Sequence, residues 1–189
     1  MDIHRVIRGD HSVHSLDYMA VLMRSIFVSK PSALSAERAA FWVCLQKLLK
    51  DRGLEPRTLG ESDLPNSAPV NAVAKLMHQC EGAVILGFVQ THIKFGLFKP
   101  ETPIEHVIDN WYLPTPWNQI EAGMAFALHL PCLIIREAGV RGGVFEIGST
   151  DKFIHQAVMD QAWLDSPAFL GPLNEWYDDI AHRFIRGSN

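Results

Sequence analysis

Cysteine is scarce in this sequence, and its positions form no recognisable pattern. Three cysteines are spread over 189 residues, at Cys44, Cys80 and Cys132. An odd, widely spaced set excludes a disulfide framework, and no CxxC pair offers two adjacent metal ligands. We therefore expect three free, buried thiols, which suit the reducing conditions of the cytoplasm.

Long apolar runs and blocks of one charge are also missing. No segment approaches the length of apolar sequence that crosses a membrane. The first 23 residues contain Asp2, Asp10 and Asp17 and lack the apolar core of a signal peptide. The net charge of −4 includes no basic cluster, which argues against a nucleic-acid-binding surface. These absences predict a cytoplasmic protein with neither a membrane nor a nucleic acid as partner.

Several common site motifs are absent as well. The sequence has no GxGxxG loop, no Walker motif and no GxSxG nucleophile elbow. His78 and Cys80 are close together, but no second pair at ligand spacing accompanies them. We therefore expect no zinc or other metal site.

What the sequence does contain is enough apolar residues for one complete core. They make up 48% of the chain, which argues against extended disorder. We expect a single domain over 1–189, with its core in residues 25–186. Residues 1–24 would form an N-terminal extension, and residues 89–115 a long insertion near the site.

Short apolar runs alternate with helical periodicity along the chain. The predicted strands are 25–29, 55–59, 83–88, 131–136 and 142–147, and the predicted helices are 35–53, 69–80, 115–130 and 172–185. Strands that are apolar throughout are typical of parallel sheets buried on both faces. The alternation therefore predicts an α/β, three-layer sandwich around a central parallel sheet of about five strands.

Such folds bind ligands beyond the carboxyl ends of their strands, where the strand order reverses. The residues that follow strand ends are the candidates: Ser29 and Lys30 after the first strand, the loop 61–63 after the second, and residues 88–90 after the third. We expect Ser29 and Lys30 to contact phosphate, and Asp63 and Phe88 to contact the rest of a ligand. Solvated loop residues are the alternative for Asp63 and Glu61.

The insertion 89–115 is rich in aromatic residues, prolines and histidines. A connection of this length in a compact domain is usually a lid or another functional segment. Its apolar residues are too many to leave exposed without a purpose. We expect the insertion to cover the ligand crevice, with His106, Trp111 and Tyr112 stacking on a base, or to contact another copy of the chain.

Glu121 lies in the middle of an otherwise apolar helical pattern. Trp117, Ile120, Met124 and Leu128 lie on or near one face, and Glu121 shares this stripe, which we expect to face the sheet. The small residues Ala122 and Gly123 let another group approach closely. A carboxylate in such a cleft is a candidate for nucleophilic or electrostatic catalysis, and a glutamate at the edge of the stripe with its head in water is the alternative.

The segment WNQIE (117–121) resembles the W-x-x-x-E arrangement that opens the third helix of Toll/interleukin receptor (TIR) domains. FVSK, GESDL and CEGAVILGF stand where that family has its first strand, its second-strand loop and its third strand. IEAGMAFALHLPCLII is similar to the glutamate-bearing helix and following strand of nucleoside 2-deoxyribosyltransferases. Both families have a flavodoxin-like fold, so the resemblance, which spans about 26–135, implies that fold here.

The resemblance also implies an activity. In both families a glutamate on this helix acts at the C1′ carbon of a ribose while its N-glycosidic bond breaks, which assigns that role to Glu121. The implied reaction is NAD hydrolysis, or conversion of NAD to a signalling nucleotide, with the nucleotide as substrate and no cofactor. A nucleoside 2-deoxyribosyltransferase or a nucleoside-monophosphate glycosidase is the alternative, as is a non-catalytic module that binds nucleotide or self-assembles.

The leaving base decides which further groups this chemistry needs. A cationic nicotinamide leaves without protonation, whereas a neutral base requires an acid, for which Asp63, Glu61 and His92 are the candidates. Trp117 would wall the ribose pocket or pack in the core. A homo-oligomer is the expected assembly.

Overall fold

The protein is described from a computed structural model, which covers residues 23–64 and 68–187. The predicted N-terminal extension therefore lies almost entirely outside the described residues. In the described part, the strands are β1 (Arg24–Ser29), β2 (Leu54–Arg57), β3 (Gly82–Gly87), β4 (Thr91–Phe98), β5 (His106–Leu113), β6 (Cys132–Glu137) and β7 (Ile154–Ala157). The helices are α1 (Ala36–Lys50), α2 (Pro69–Met77), α3 (Pro116–Ala127), α4 (Gln161–Leu164) and α5 (Pro167–Gly187).

Five strands form one parallel sheet in the order β2-β1-β3-β6-β7. Alternate strand residues point to opposite faces, so the sheet divides the apolar core into two halves. One half packs against α1 and α5, and the other against α2 and α3. This arrangement confirms the predicted α/β fold, a flavodoxin-like three-layer sandwich with a five-stranded parallel sheet.

The strand order reverses between β1 and β3. The chain passes from β1 outward to β2, then crosses back and adds β3 on the other side of β1. The connections after β1 and β3 therefore diverge and leave a crevice at the carboxyl edge of the sheet. Helix α3 packs beside both of these strands, which brings its first turns to that crevice.

The fifth strand is not where the sequence predicts it. The edge strand is β7, whereas the predicted strand 142–147 contains a short 3-10 turn, Gly143–Phe145. Gly142 and Gly143 have φ angles of 91° and 56°, which no extended strand contains. Phe145 is fully buried and packs at Gly87 of β3. The apolar Phe145 thus reflects core packing rather than a strand, whereas Ile147 of the same segment is 75% exposed.

The insertion forms an antiparallel two-stranded ribbon, β4 and β5, that extends from the end of β3 and leads into α3. It therefore starts at the carboxyl edge of the sheet, as expected. At its base the amide of Gln90 donates to the carbonyl of Leu113 at 2.9 Å, and the amide of Arg141 donates to the carbonyl of Tyr112 at 3.1 Å. The first bond closes the base of the ribbon, and the second joins the ribbon to the loop that follows β6.

All three cysteines are free, and of these Cys80 is buried whereas Cys44 and Cys132 are half-buried, so the expectation of three buried thiols is wrong for two of them. Burial raises the pKa of the Cys80 thiol to about 12. Within residues 23–64 and 68–187, the helices are too short or too polar to cross a membrane.

Candidate active site

Ser29 ends β1 at the carboxyl edge of the sheet and is only 1% exposed. Strand alternation places Ser29 on the same face as Phe27, which belongs to the half of the core under α2 and α3. A hydroxyl buried this deeply needs hydrogen-bond partners. Its partners are side chains of α3. The predicted contact between Ser29 and a phosphate is therefore not supported by the position of this hydroxyl.

Helix α3 turns a small and polar face toward the sheet. Asn118, Glu121, Ala122 and Ala125 are its buried residues, at the i, i+3, i+4 and i+7 spacing of one helical face. Trp117 and Ile120 are instead 41% and 44% exposed. The expectation that the apolar stripe faces the sheet is therefore wrong for Trp117 and Ile120, whereas Met124 and Leu128 pack against the core and Glu121 does face inward. The two alanines explain this, because they let the helix backbone approach the strands.

The start of α3 is held by a capping box. Thr115 accepts at its Oγ1 the amide N–H of Asn118, and the Asn118 Oδ1 accepts the amide N–H of Thr115 at 3.2 Å. Pro116 occupies the first turn, where its missing N–H costs nothing. This cap also sets the direction of the Asn118 side chain, which is buried between helix and sheet.

A chain of hydrogen bonds links Asn118 to Glu121 through Ser29. The Asn118 Nδ2 donates to the Ser29 Oγ at 2.7 Å, and the Ser29 Oγ–H donates to the Glu121 Oε2 at 2.5 Å. Among the described residues, no hydrogen bond is made to the other carboxylate oxygen, Oε1. That oxygen is the one left available to a ligand.

Burial raises the pKa of Glu121 to about 7, because the ionised carboxylate loses most of its hydration. The hydrogen bond from Ser29 opposes this shift, since it stabilises the charged form. The side chain is 9% exposed, with no cation bonded to it among the described residues. A carboxylate poised near neutral pH in a cleft is a mark of functional sites.

Glu121 lines an open cleft of about 300 Å³. The other residues of its wall are Lys30, Pro31, Ser32, Leu59, Pro69, Thr115 and Trp117. The cleft thus lies between the end of β1, the β2–α2 connection and the first turn of α3. A larger hollow of about 500 Å³ is lined by His129, Leu130 and Pro131, immediately before β6. We place the site in the smaller cleft, because it lies at the carboxyl edge and contains the buried carboxylate.

In the described part of the cleft wall, Lys30 is the one cation, and its charge is already paired with that of Glu61. Its side chain is 6% exposed, and its Nζ lies 2.6 Å from the Glu61 Oε2. The same ammonium lies over the ring of Trp42, 5.6 Å from its centroid. A phosphate at this position would therefore have to compete with Glu61.

Two of the predicted ligand residues are not brought to the cleft. Phe88 is 0% exposed and packs edge-on against Phe41 in the half of the core under α1. Residues an odd number of positions apart along extended chain point to opposite faces. Ile85 points to the face covered by α3, so Phe88, three positions later, points away from it. Asp63 is bound by Arg57 and by the Ser62 hydroxyl, and the guanidinium holds the pKa of its carboxyl below the usual range.

The ribbon residues are also absent from the cleft wall. His92 stacks on Tyr112 with ring centroids 4.5 Å apart, and its Nε2 lies 3.1 Å from the Asn110 Oδ1. Trp111 contacts Phe98 within the ribbon. Of the segment 89–115 only Thr115 lines the cleft, whereas Trp117 lines it as expected. The role of the ribbon as a lid over this cleft stays a prediction.

Sequence reasoning missed Asn118 and Thr115 as parts of the site. Asn118 precedes Glu121 by three residues, so their shared helical face was readable from the sequence. The hydrogen bond from Asn118 to Ser29 could not be predicted, because the two residues are separated by 89 positions and meet only in the folded chain.

No protein-family model matches this chain, and none of the curated proteins compared with it matches its sequence. In the described part of the chain, no three histidine, cysteine, aspartate or glutamate side chains are grouped to hold a metal ion.

Proposed function

We propose that the protein is a nucleotide N-glycosidase that cleaves a ribose–base bond, with Glu121 acting at C1′. One observation carries the proposal. A carboxylate that is 9% exposed stands at the reversal point of a parallel sheet, with one oxygen bound by Ser29 and the other without a partner among the described residues. The resemblance of the segment 117–135 to glutamate-bearing helices of nucleotide glycosidases agrees with this role.

The reaction uses the negative charge of Glu121. As the C1′–N bond breaks, its electron pair leaves with the base, and the ribose develops oxocarbenium character. The Glu121 carboxylate stabilises that cation or captures it covalently. Water then adds at C1′ and loses its proton to the carboxylate or to solvent. A hydroxyl of the substrate in place of water would give a cyclic signalling nucleotide.

The cleft favours a leaving group that already carries a positive charge. Among the described residues, its wall contains no histidine and no carboxylic acid besides Glu121, and the Lys30 ammonium is paired with Glu61. A neutral purine therefore lacks an evident proton donor, whereas a pyridinium base such as nicotinamide leaves as a neutral molecule. The exposed ring of Trp117 offers a face for cation–π contact with such a base. We therefore favour NAD over the substrates of deoxyribosyltransferases or monophosphate glycosidases.

The test is release of free base, measured by chromatography. The protein is incubated with NAD, nicotinamide mononucleotide, adenosine, deoxyadenosine and adenosine monophosphate, with the Glu121→Gln variant as control. We expect nicotinamide from the first two substrates, no base from the three neutral-base substrates, and no release by the variant. If the wild type releases base from none of the five substrates at high protein concentration, the catalytic proposal is overturned.

A second candidate function, a self-assembling module, is favoured by the outer surface of the ribbon. Phe95, Leu97 and Val107 are 74%, 51% and 58% exposed, and Leu97 faces Val107 across the two strands. Contiguous apolar side chains of this kind mark interaction surfaces. We propose a homo-oligomer joined through the ribbon, located in the cytoplasm, where free thiols persist.

A further inference from the structure

The amide of Asn118 has only one possible orientation. Its Oδ1 faces the main-chain N–H of Thr115, which donates at 3.2 Å and has no capacity to accept. The Thr115 Oγ1 hydroxyl also donates to it, at 2.9 Å. The oxygen must therefore face Thr115, which leaves the Nδ2 group, a pure donor, pointed at Ser29.

The direction of the Ser29 hydroxyl follows from that orientation. Its oxygen accepts from the Asn118 Nδ2 at 2.7 Å, so its single proton has no acceptor on that side. The remaining neighbour within bonding distance is the Glu121 Oε2. Both side chains of this relay are 1% exposed, so bulk water does not offer an alternative partner.

We infer that Asn118 is a positioning residue, which acts through Ser29 to hold a hydrogen bond on the Glu121 Oε2 and so leaves Oε1 as the reacting oxygen. For reaction at C1′ the inference rests on the proposed function, whereas the relay itself does not. Among the described residues, the other titratable group in the cleft wall is Lys30, whose ammonium is paired with Glu61. Burial is the larger influence on the ionisation of Glu121, and the relay is the part of the site that opposes it.

Titration of the Glu121 carboxyl tests the relay without any activity. Protein labelled with carbon-13 at the glutamate carboxyl is followed by NMR over pH 5–9, and the Glu121 signal is assigned by its loss in Glu121→Gln. Ser29→Ala removes a hydrogen bond to the charged form, so the titration midpoint should rise by about one pH unit or more. Asn118→Ala should raise it less, because Ser29 keeps its proton but loses its fixed direction.

The double variant decides whether Asn118 acts through Ser29. If it does, Ser29→Ala/Asn118→Ala has the midpoint of Ser29→Ala alone, since the mediator is already gone. Additive shifts in the double variant, or no shift in either single variant, would overturn the inference. Thr115→Ala damages the same cap and removes one of the two donors that orient Asn118, but it keeps the main-chain N–H, so its midpoint should move less than that of Asn118→Ala. A shift as large as that of Asn118→Ala would attribute the effect to the damaged cap and overturn the inference.

The same variants separate this inference from the proposed function. If base is released, the pH midpoint of kcat/KM should move in parallel with the NMR midpoint. If no nucleotide is cleaved, the proposed function fails while the NMR cycle still tests the relay. Thermal melts confirm that each variant is folded. Ser29→Cys, a weaker donor, replaces Ser29→Ala in the cycle should the alanine variant not fold.

Discussion

At the scale of single residues, the charge on Glu121 that we propose acts in the reaction also destabilises the folded protein. The folded protein keeps this carboxyl 9% exposed, and burial raises its pKa to about 7. An ionised carboxylate in that position costs free energy, which the hydrogen bond from Ser29 only partly offsets. Residues that are retained at a cost to the fold are expected at functional sites. Replacing this one carboxyl should therefore change activity and stability in opposite directions.

Glu121→Gln should abolish base release and leave the fold intact. The amide keeps the size of the carboxyl and removes the charge that we propose stabilises the oxocarbenium ion, so turnover should fall by several orders of magnitude. In the wild type, kcat/KM should rise with pH through about 7, because the reacting form is the ionised one. Base release against pH, beside thermal melts, measures both. Equal turnover by wild type and variant would contradict the assignment.

Glu121→Gln should also stabilise the protein, and more so at higher pH. The folded-state pKa of about 7 lies above the ordinary value of 4.5, so the protonated carboxyl contributes stability that is complete below 4.5 and lost as pH rises through 7. The variant has no such loss. Its advantage in the free energy of unfolding should be roughly 2–3 kcal/mol larger at pH 8 than at pH 5. Urea unfolding of wild type and variant at pH 5 and pH 8 tests this. If the difference in their free energies of unfolding does not change with pH, the carboxyl is in water.

At the scale of secondary-structure elements, close approaches between elements position the site. Gly87 ends β3 at the carboxyl edge of the sheet, and the missing side chain makes room for Phe145 from the loop after β6. Gln119 of α3 holds the same loop, accepting the amide of Val144 and donating to the carbonyl of Gly142. Helix, strand and loop are thus mutually fitted, so a change at one contact reaches the start of α3.

Gly87→Ala should destabilise the protein. The added Cβ would lie 2.5 Å from the Phe145 Cε1, and this fully buried ring would have to move. Overpacking of this kind costs about 1–3 kcal/mol. Gly123→Ala is the matched control, because Gly123 lies on the exposed side of α3, where an added Cβ would meet nothing within 4 Å. That control should stabilise by about 0.5–1 kcal/mol through helix propensity. Thermal melts that rank the two variants in the opposite order would contradict the packing argument.

The ribbon should mediate self-association. A two-stranded ribbon is marginal alone, and this one exposes Phe95 at 74% and Leu97 at 51%. Phe95→Ser/Leu97→Ser should therefore shift the protein from oligomer to monomer in sedimentation over a range of concentrations, with an unchanged melting profile. Val43→Ser, at a residue 62% exposed on α1, controls for loss of any surface apolar group. A wild type that stays monomeric at all concentrations would reject the ribbon interface.

At the scale of the whole molecule, we expect a ligand in the cleft to couple binding to folding. The cleft is built from the ends of three separate segments, near β1, the β2–α2 connection and α3, so a ligand that bridges them favours the folded state. A ligand at 100 times its Kd adds about 2.7 kcal/mol to the free energy of unfolding.

Glu121→Gln should be stabilised by NAD without consuming it. We expect its melting temperature to rise by several degrees, with the rise dependent on NAD concentration, because the variant retains Trp117 and the rest of the cleft wall. Adenosine should produce a smaller rise. A melting temperature that does not respond to NAD, in a variant that is folded, would separate the cleft from nucleotide binding.

The sequence by itself determined the fold class. Apolar runs such as 25–29 and 83–88 have no polar face, so they required helices on both sides of a parallel sheet, and the structure has that architecture. The inward direction of Glu121 was predicted correctly, but from an apolar stripe whose first members, Trp117 and Ile120, are exposed in the structure. The position of the fifth strand could not be predicted from the sequence. The apolar Phe145 packs against Gly87, which lies 58 positions earlier in the chain, and this contact exists only in the folded protein.

Only the tertiary structure decided which residues meet at the cleft. Phe88 and Ser29 both lie at the carboxyl ends of buried strands, yet strand parity buries one under α1 and points the other at α3. The hydrogen bonds of Ser29 with Asn118 and Glu121 join segments that are distant in the chain. Ser29 and Asn118 are 89 positions apart. Such contacts depend on strand order, on which face each helix covers and on how closely two alanines let α3 approach. None of these is encoded in a local pattern, because each is set by packing between elements distant in the chain.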